Sequence, residues 1–248
     1  MIRPFALLTI VALALSPSLP AAEETAKKAK KQRKANPAMI PVEDDPALPR
    51  VLLIGDSISI GYTVAVRNEM EGSANVHRPL ANCGPTHTAL GKIDDWLATG
   101  GAGKKWDVIH FNWGLHDLKY MGTNGENLAD PKAEDSHQQV PPEEYRKNLT
   151  QLVETLKATG ARLIWRNTTP VPEGAKGRVV GDSAKYNAIA AEIMETHEVE
   201  VQDLFSFIVE ETAKDPGFSM TANVHFSPTS SAAMAEKIAE RLTAALSD

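Results

Sequence analysis

A serine that follows a short apolar run through a glycine and an aspartate sits where a strand ends and a helix begins. Here Val51-Leu52-Leu53-Ile54 leads into Gly55-Asp56-Ser57, with Gly61 close behind. Free backbone N–H groups and the positive end of the helix dipole at such a turn stabilise negative charge on an attacked carbonyl oxygen. Ser57 could therefore supply both a nucleophilic hydroxyl and an oxyanion-binding amide. Taken alone, Gly-Asp-Ser also serves as an ordinary turn and helix cap. A serine nucleophile needs a neighbouring base, most often histidine. Of the candidates, His225 lies in Val224-His225-Phe226-Ser227-Pro228, just ahead of the last helix. His110, His116 and Asp117 are close in sequence, but their spacing matches no strong metal-ligand motif, and the expected chemistry needs no metal or other cofactor. His77, His87, His137 and His197 read as solvent or packing residues.

The elements that must position these groups alternate between β-rich and helical runs, as in an α/β domain. Strands are expected at Val51–Ile54, Ala74–Arg78, Val108–Asn112, Ala161–Arg166 and Val199–Asp203. Helical spacing joins Leu90, Ile93 and Leu97; then Tyr145, Leu149, Leu152 and Leu156; then Tyr186, Ile189, Ala190 and Ile193. Ser227 can cap the terminal helix and Pro228 can occupy its first turn, with Met234, Ile238, Leu242 and Leu246 as its apolar stripe. The prediction is a five-stranded parallel sheet between two helix layers, a three-layer α/β/α sandwich. Ligands of such sheets bind beyond the carboxyl ends of the strands, so the loops after Ile54, Arg78, Asn112 and Arg166, and the loop before the last helix, should carry the chemistry. The polar segment from Tyr120 to Pro141 reads as an excursion over the same face.

Four blocks in order, Gly55-Asp56-Ser57, Asn82-Cys83-Gly84, Gly114-Leu115-His116-Asp117 and Val224-His225-Phe226-Ser227-Pro228, make the chain from about Arg50 onward resemble the SGNH (GDSL-type) hydrolases. The resemblance implies a flavodoxin-like fold, Ser57 as nucleophile, His225 as general base and the Gly84 amide as an oxyanion donor. It also implies an acyl-enzyme that water activated by the same imidazole releases.

Two departures from that pattern matter. The third block usually reads Gly-x-Asn-Asp, and here His116 stands where the family has an amide donor. Its ring N–H could serve, and Asn112 is the alternative, although a strand-end asparagine can instead brace a loop. The family's Asp-x-x-His would place a carboxylate at position 222, where this chain has Ala222. A Ser-His dyad is therefore expected. Its orienting acceptor is left open among a backbone carbonyl near Ala222, the Asn223 side chain, and a carboxylate such as Asp203 or Glu210. Asp56 and Asp117 count as possible supporting groups.

The 248 residues are 42% hydrophobic and carry a net charge of −6, enough apolar material for a core and no basic field to collect nucleic acid. Residues 1–22 read as a secretory signal: Arg3, an apolar run from Phe5 to Leu15, and cleavage expected after Ala21 or Ala22. That predicts a periplasmic or extracellular protein with no integral membrane domain after cleavage. Residues 23–49, with Lys27, Lys28, Lys30, Lys31, Arg33 and Lys34 followed by four prolines, read as a basic linker. The hydrolase domain should span 50–248. Cys83 is the sole cysteine, so no intrachain disulfide can form, and a small buried residue is the expectation. Export favours a carbohydrate O-acetylesterase acting on small-molecule or polysaccharide esters, with Trp113 read first as a core residue and second as a platform that could stack on a sugar. A lipase or thioesterase, and a catalytically silent carbohydrate-binding protein that has kept the fold, are the alternatives.

Overall fold

The computed structural model describes residues 36–247. The expected signal at 1–22 and the basic cluster lie outside the described residues.

Every residue of β1 (Arg50–Ile54) is buried, and so is all of β3 (Val108–Phe111), as continuous apolar runs must be in a sheet covered on both faces. In chain order the elements are β1, α1 (Ser57–Glu69), β2 (Asn75–His77), α2 (Thr86–Leu90), α3 (Ile93–Leu97), β3, β4 (Tyr120–Met121), β5 (His137–Gln138), α4 (Pro142–Lys157), β6 (Arg162–Arg166), α5 (Asp182–Thr196), β7 (Glu200–Gln202), α6 (Leu204–Lys214) and α7 (Pro228–Ser247). The five main strands are all parallel, in the order β2-β1-β3-β6-β7. The chain goes from β1 outward to β2, then crosses back over β1 to β3. Right-handed crossovers place helices for opposite directions on opposite faces. Accordingly α1 packs on α7, whereas α4 packs on both α2 and α5. Direction reverses between β1 and β3, and the crevice at their carboxyl ends is where such folds bind ligands.

The helix expected through Leu90, Ile93 and Leu97 is two short helices. The Gly91 N–H closes α2 on Thr88, and Lys92, at φ −131°, breaks the continuation. The deepest apolar side chains there are Ala89, Ile93 and Trp96. Helix α6 was not anticipated. The Tyr120–Pro141 excursion is a small antiparallel hairpin of β4 and β5.

The expected linker boundary needs correction, because residues 36–49 lie on the domain as a strap. The Arg67 guanidinium donates to Pro37 O at 3.2 Å, and Asn75 accepts from the Asp45 amide at 2.8 Å while donating to Asp45 O and Leu48 O. The Asp44 carboxylate meets Arg50 Nε at 3.1 Å, together with His77 and Lys104. Residues 36–49 accordingly belong to the same compact unit as the rest of the domain. A chain segment rich in proline can be ordered when its neighbours satisfy its backbone, and composition does not reveal those neighbours.

Candidate active site

The turn after β1 is held from inside. Asp56 Oδ1 accepts from the Ile58 amide at 3.0 Å, so Asp56 is the N-cap of α1 and Ser57 its first residue. The Ser57 N–H then has no acceptor among the described residues, which suits it to bind an oxyanion. Gly55 is required by close approach: a Cβ there would lie 2.8 Å from Ser59 Cβ. Beneath the turn sits the fully buried Arg78, donating to Gly55 O at 3.2 Å, Ala81 O at 3.0 Å, Pro79 O at 3.1 Å and Thr63 Oγ1 at 3.0 Å. One guanidinium thereby joins the first block to the second. In the sequence Arg78 stands at the end of an expected strand with no sign of a role. With Ser59 Oγ at 3.4 Å five acceptors converge on it, which nothing in the linear sequence shows.

In the second block Cys83 is fully buried, as expected, and burial pushes its thiol up to about 11. Gly84, at φ +52°, is buried, and its N–H donates to Asn82 Oδ1 at 3.1 Å. In this conformation the Gly84 amide is engaged by its own block and is not free for an oxyanion. The Asn82 side chain is exposed and would have to swing away to release it.

The third block separates its candidate donors. The Asn112 amide group donates to Arg166 O at 2.7 Å and Thr168 Oγ1 at 3.2 Å, and its oxygen accepts from Arg166 Nη2 at 2.6 Å. Asn112 is thus a brace between the ends of β3 and β6, and the alternative of an oxyanion donor at 112 is corrected on that ground. His116 is partly exposed, and burial first, then the charges of Lys119, Arg178 and His225, hold its ring below the usual histidine range against the pull of Asp56. A neutral ring carries one N–H that can be offered to an oxyanion. Arg178, from the segment ahead of α5, fastens this turn by donating to Leu115 O through Nε at 3.2 Å and Nη2 at 3.1 Å. Asp117 is fully buried and bonded to Thr86.

The fourth block reaches Ser57 across 168 residues of sequence: His225 Nε2 is 2.9 Å from Ser57 Oγ. On the far side of the ring, Nδ1 is 2.8 Å from Asn223 Oδ1. Ser227 Oγ accepts from the Ser230 amide at 3.0 Å, capping α7 directly after the loop. Asp203 is corrected as a candidate acceptor for His225, because its carboxylate caps α6 through the Ser206 amide at 3.0 Å and binds Asn167 at 2.6 Å. His110 bonds Gln202 at 2.8 Å inside the sheet, and burial lowers it to about 4. Among the described residues no three His, Cys, Asp or Glu side chains gather in a way that could hold a metal ion. Trp113 is 1% exposed and packs against Phe111, so it cannot stack on a sugar at the surface.

The model of the GDSL-like lipase/acylhydrolase family matches residues 53–233, a span holding all four blocks. The chain belongs to that family. As a GDSL-type member it is a carboxylic ester hydrolase. No curated protein matches it in sequence. Its fold is similar to that of an acetyl xylan esterase, AlAXEase, at 13% identity and TM-score 0.63, covering 78% of this chain and 99% of the other. It is also similar to a lipase/acylhydrolase from Enterococcus faecalis at 16% identity and TM-score 0.60, covering 79% and 96%. An acetylxylan esterase from Geobacillus stearothermophilus matches at 16% and TM-score 0.59, covering 82% and 96%. At these identities the likeness is one of fold, the five-stranded α/β/α sandwich of the GDSL hydrolases.

Proposed function

We propose that this GDSL hydrolase is an exported carbohydrate O-acetylesterase working through an acyl-enzyme on Ser57. The observation that carries the reading is the 2.9 Å approach of Ser57 Oγ to His225 Nε2. The hydroxyl proton passes to Nε2 as the oxygen attacks the ester carbonyl, and the imidazolium returns it to the departing alcohol. Water activated by the same ring then releases acetate. The Ser57 amide and the His116 ring N–H receive the developing oxyanion, with the Gly84 amide joining once Asn82 lets go. Ser57 is half-buried and His225 exposed, which suits an alcohol attached to a bulky glycan. Support for the acetyl ester comes from the fold shared with acetyl xylan esterases. Support for export comes from the signal-like residues 1–22, and no helix among the described residues is long and apolar enough to cross a membrane.

Acetate release from acetylated xylan, lost in Ser57→Ala, is the expected result. Good cleavage of long-chain esters with no release from any acetylated glycan would replace the acetylesterase by a lipase.

A further inference from the structure

We infer that Asn223 is the positioning residue of this centre, and that a backbone amide, without any carboxylate, sets the tautomer of His225. The inference rests on reading Ser57 and His225 as nucleophile and base.

An asparagine beside a catalytic imidazole is ordinarily a hazard. If its NH2 group faced Nδ1, that nitrogen would have to accept, the ring proton would move to Nε2, and the ring could no longer take a proton from serine. Here a third group removes the ambiguity. The backbone N–H of His225 lies 3.1 Å from the same Asn223 atom that meets Nδ1. A backbone N–H can only donate, so that atom must be the oxygen. Nδ1, 2.8 Å from this oxygen, must then carry the ring proton. Nε2 is left with its lone pair directed at Ser57 Oγ, 2.9 Å away.

The loop is shaped to present this oxygen. Ala222 adopts φ +53°, a left-handed conformation that non-glycine residues adopt at a cost, and the Asn223 amide closes a turn on Met220 O at 3.3 Å. Ser219 bridges to Phe226 across the base of the loop. The side chain at 222 faces elsewhere: a Cβ added to Gly174 would come within 3.1 Å of Ala222 Cβ. The acceptor has therefore moved one residue along the chain from where the family's acid would stand, and has become neutral. When the Ser57 proton moves to Nε2 and the serine oxygen bonds the carbonyl carbon, the imidazolium keeps its Nδ1–H on an amide dipole and gains no full counter-charge.

The test is kcat, KM and the pH profile of 4-nitrophenyl acetate hydrolysis by wild type, Asn223→Ala and Asn223→Asp, with Ser57→Ala as control and thermal melts throughout. Asn223→Ala should lower kcat by about a hundredfold with KM within about twofold. Asn223→Asp keeps the oxygen and adds charge, so it should recover kcat to wild type or beyond and move the acid limb of the profile to higher pH. A kcat for Asn223→Ala within about threefold of wild type, with Ser57→Ala inactive, overturns the inference and leaves the nucleophile intact. Should Asn223→Ala melt below the assay temperature, an unaltered pH profile in Asn223→Asp overturns it equally. Activity surviving in Ser57→Ala would instead overturn the reading of the centre itself.

Discussion

The Asp117 carboxylate takes both the amide and the hydroxyl of Thr86, at 2.8 and 2.6 Å, on a single oxygen. The bond joins the turn that carries His116 to the first residue of α2, two positions after Gly84. The two loops that carry His116 and Gly84 are thereby fixed to each other.

Asp117 makes stability depend on pH in an unusual direction. Burial raises its carboxyl to about 7, against the lowering effect of the Thr86 bonds. The folded chain holds this proton more tightly than the unfolded chain does. The contribution is fully present below about pH 4 and is lost as pH rises through about 7. Asp117→Asn, which has no proton to lose, should flatten the decline of Tm between about pH 4 and 7. Parallel melting curves for the two proteins across that window would refute the assignment.

His116 and Asn112 should part company on mutation. His116→Ala removes a donor at the open site and should lower kcat by about a hundredfold while leaving Tm nearly unchanged. Asn112→Ala leaves buried partners on Arg166 and Thr168 unsatisfied and should cost about 1–3 kcal/mol of stability. Steady-state kinetics alongside denaturant melts separate them, and the reverse pattern would make Asn112 the donor.

Asp44 fastens the strap. Burial opposes its ionisation, but the bonds from Lys104 and His77 and the charge of Arg50 win, bringing it down to about 2. This contribution is present above about pH 4 and is lost as pH falls towards 2. Asp44→Asn should leave esterase activity unchanged, because the strap's bonds run to Arg50, Arg67, Asn75, His77 and Lys104 and to neither Ser57 nor His225, and should speed proteolytic cutting within 36–49. Mass spectrometry of a timed digest reads this directly; equal cutting rates would show that the strap holds without its carboxylate.

Much of the fold was legible in the residues themselves. Five apolar runs, the helical stripes and the Ser227-Pro228 start of α7 are short-range patterns, and short-range patterns are what a linear text records. The four blocks named the loops that carry Ser57, Gly84, His116 and His225. Tertiary structure alone decided which polar groups are already satisfied. It drew Asn112 into the β3–β6 brace, the Gly84 amide onto Asn82, and Asp203 into the cap of α6. It set the Asn223 side-chain oxygen beside His225 Nδ1, through a turn whose left-handed residue is an alanine that sequence rules would not choose. It also gathered the carbonyls around Arg78 and laid residues 36–49 on the domain. The physical reason is common to all of these: a hydrogen bond is decided by the distance and direction that the folded backbone imposes, whether the groups are neighbours like Asn82 and Gly84 or far apart like Asn112 and Arg166, and residue type states only what each group could do.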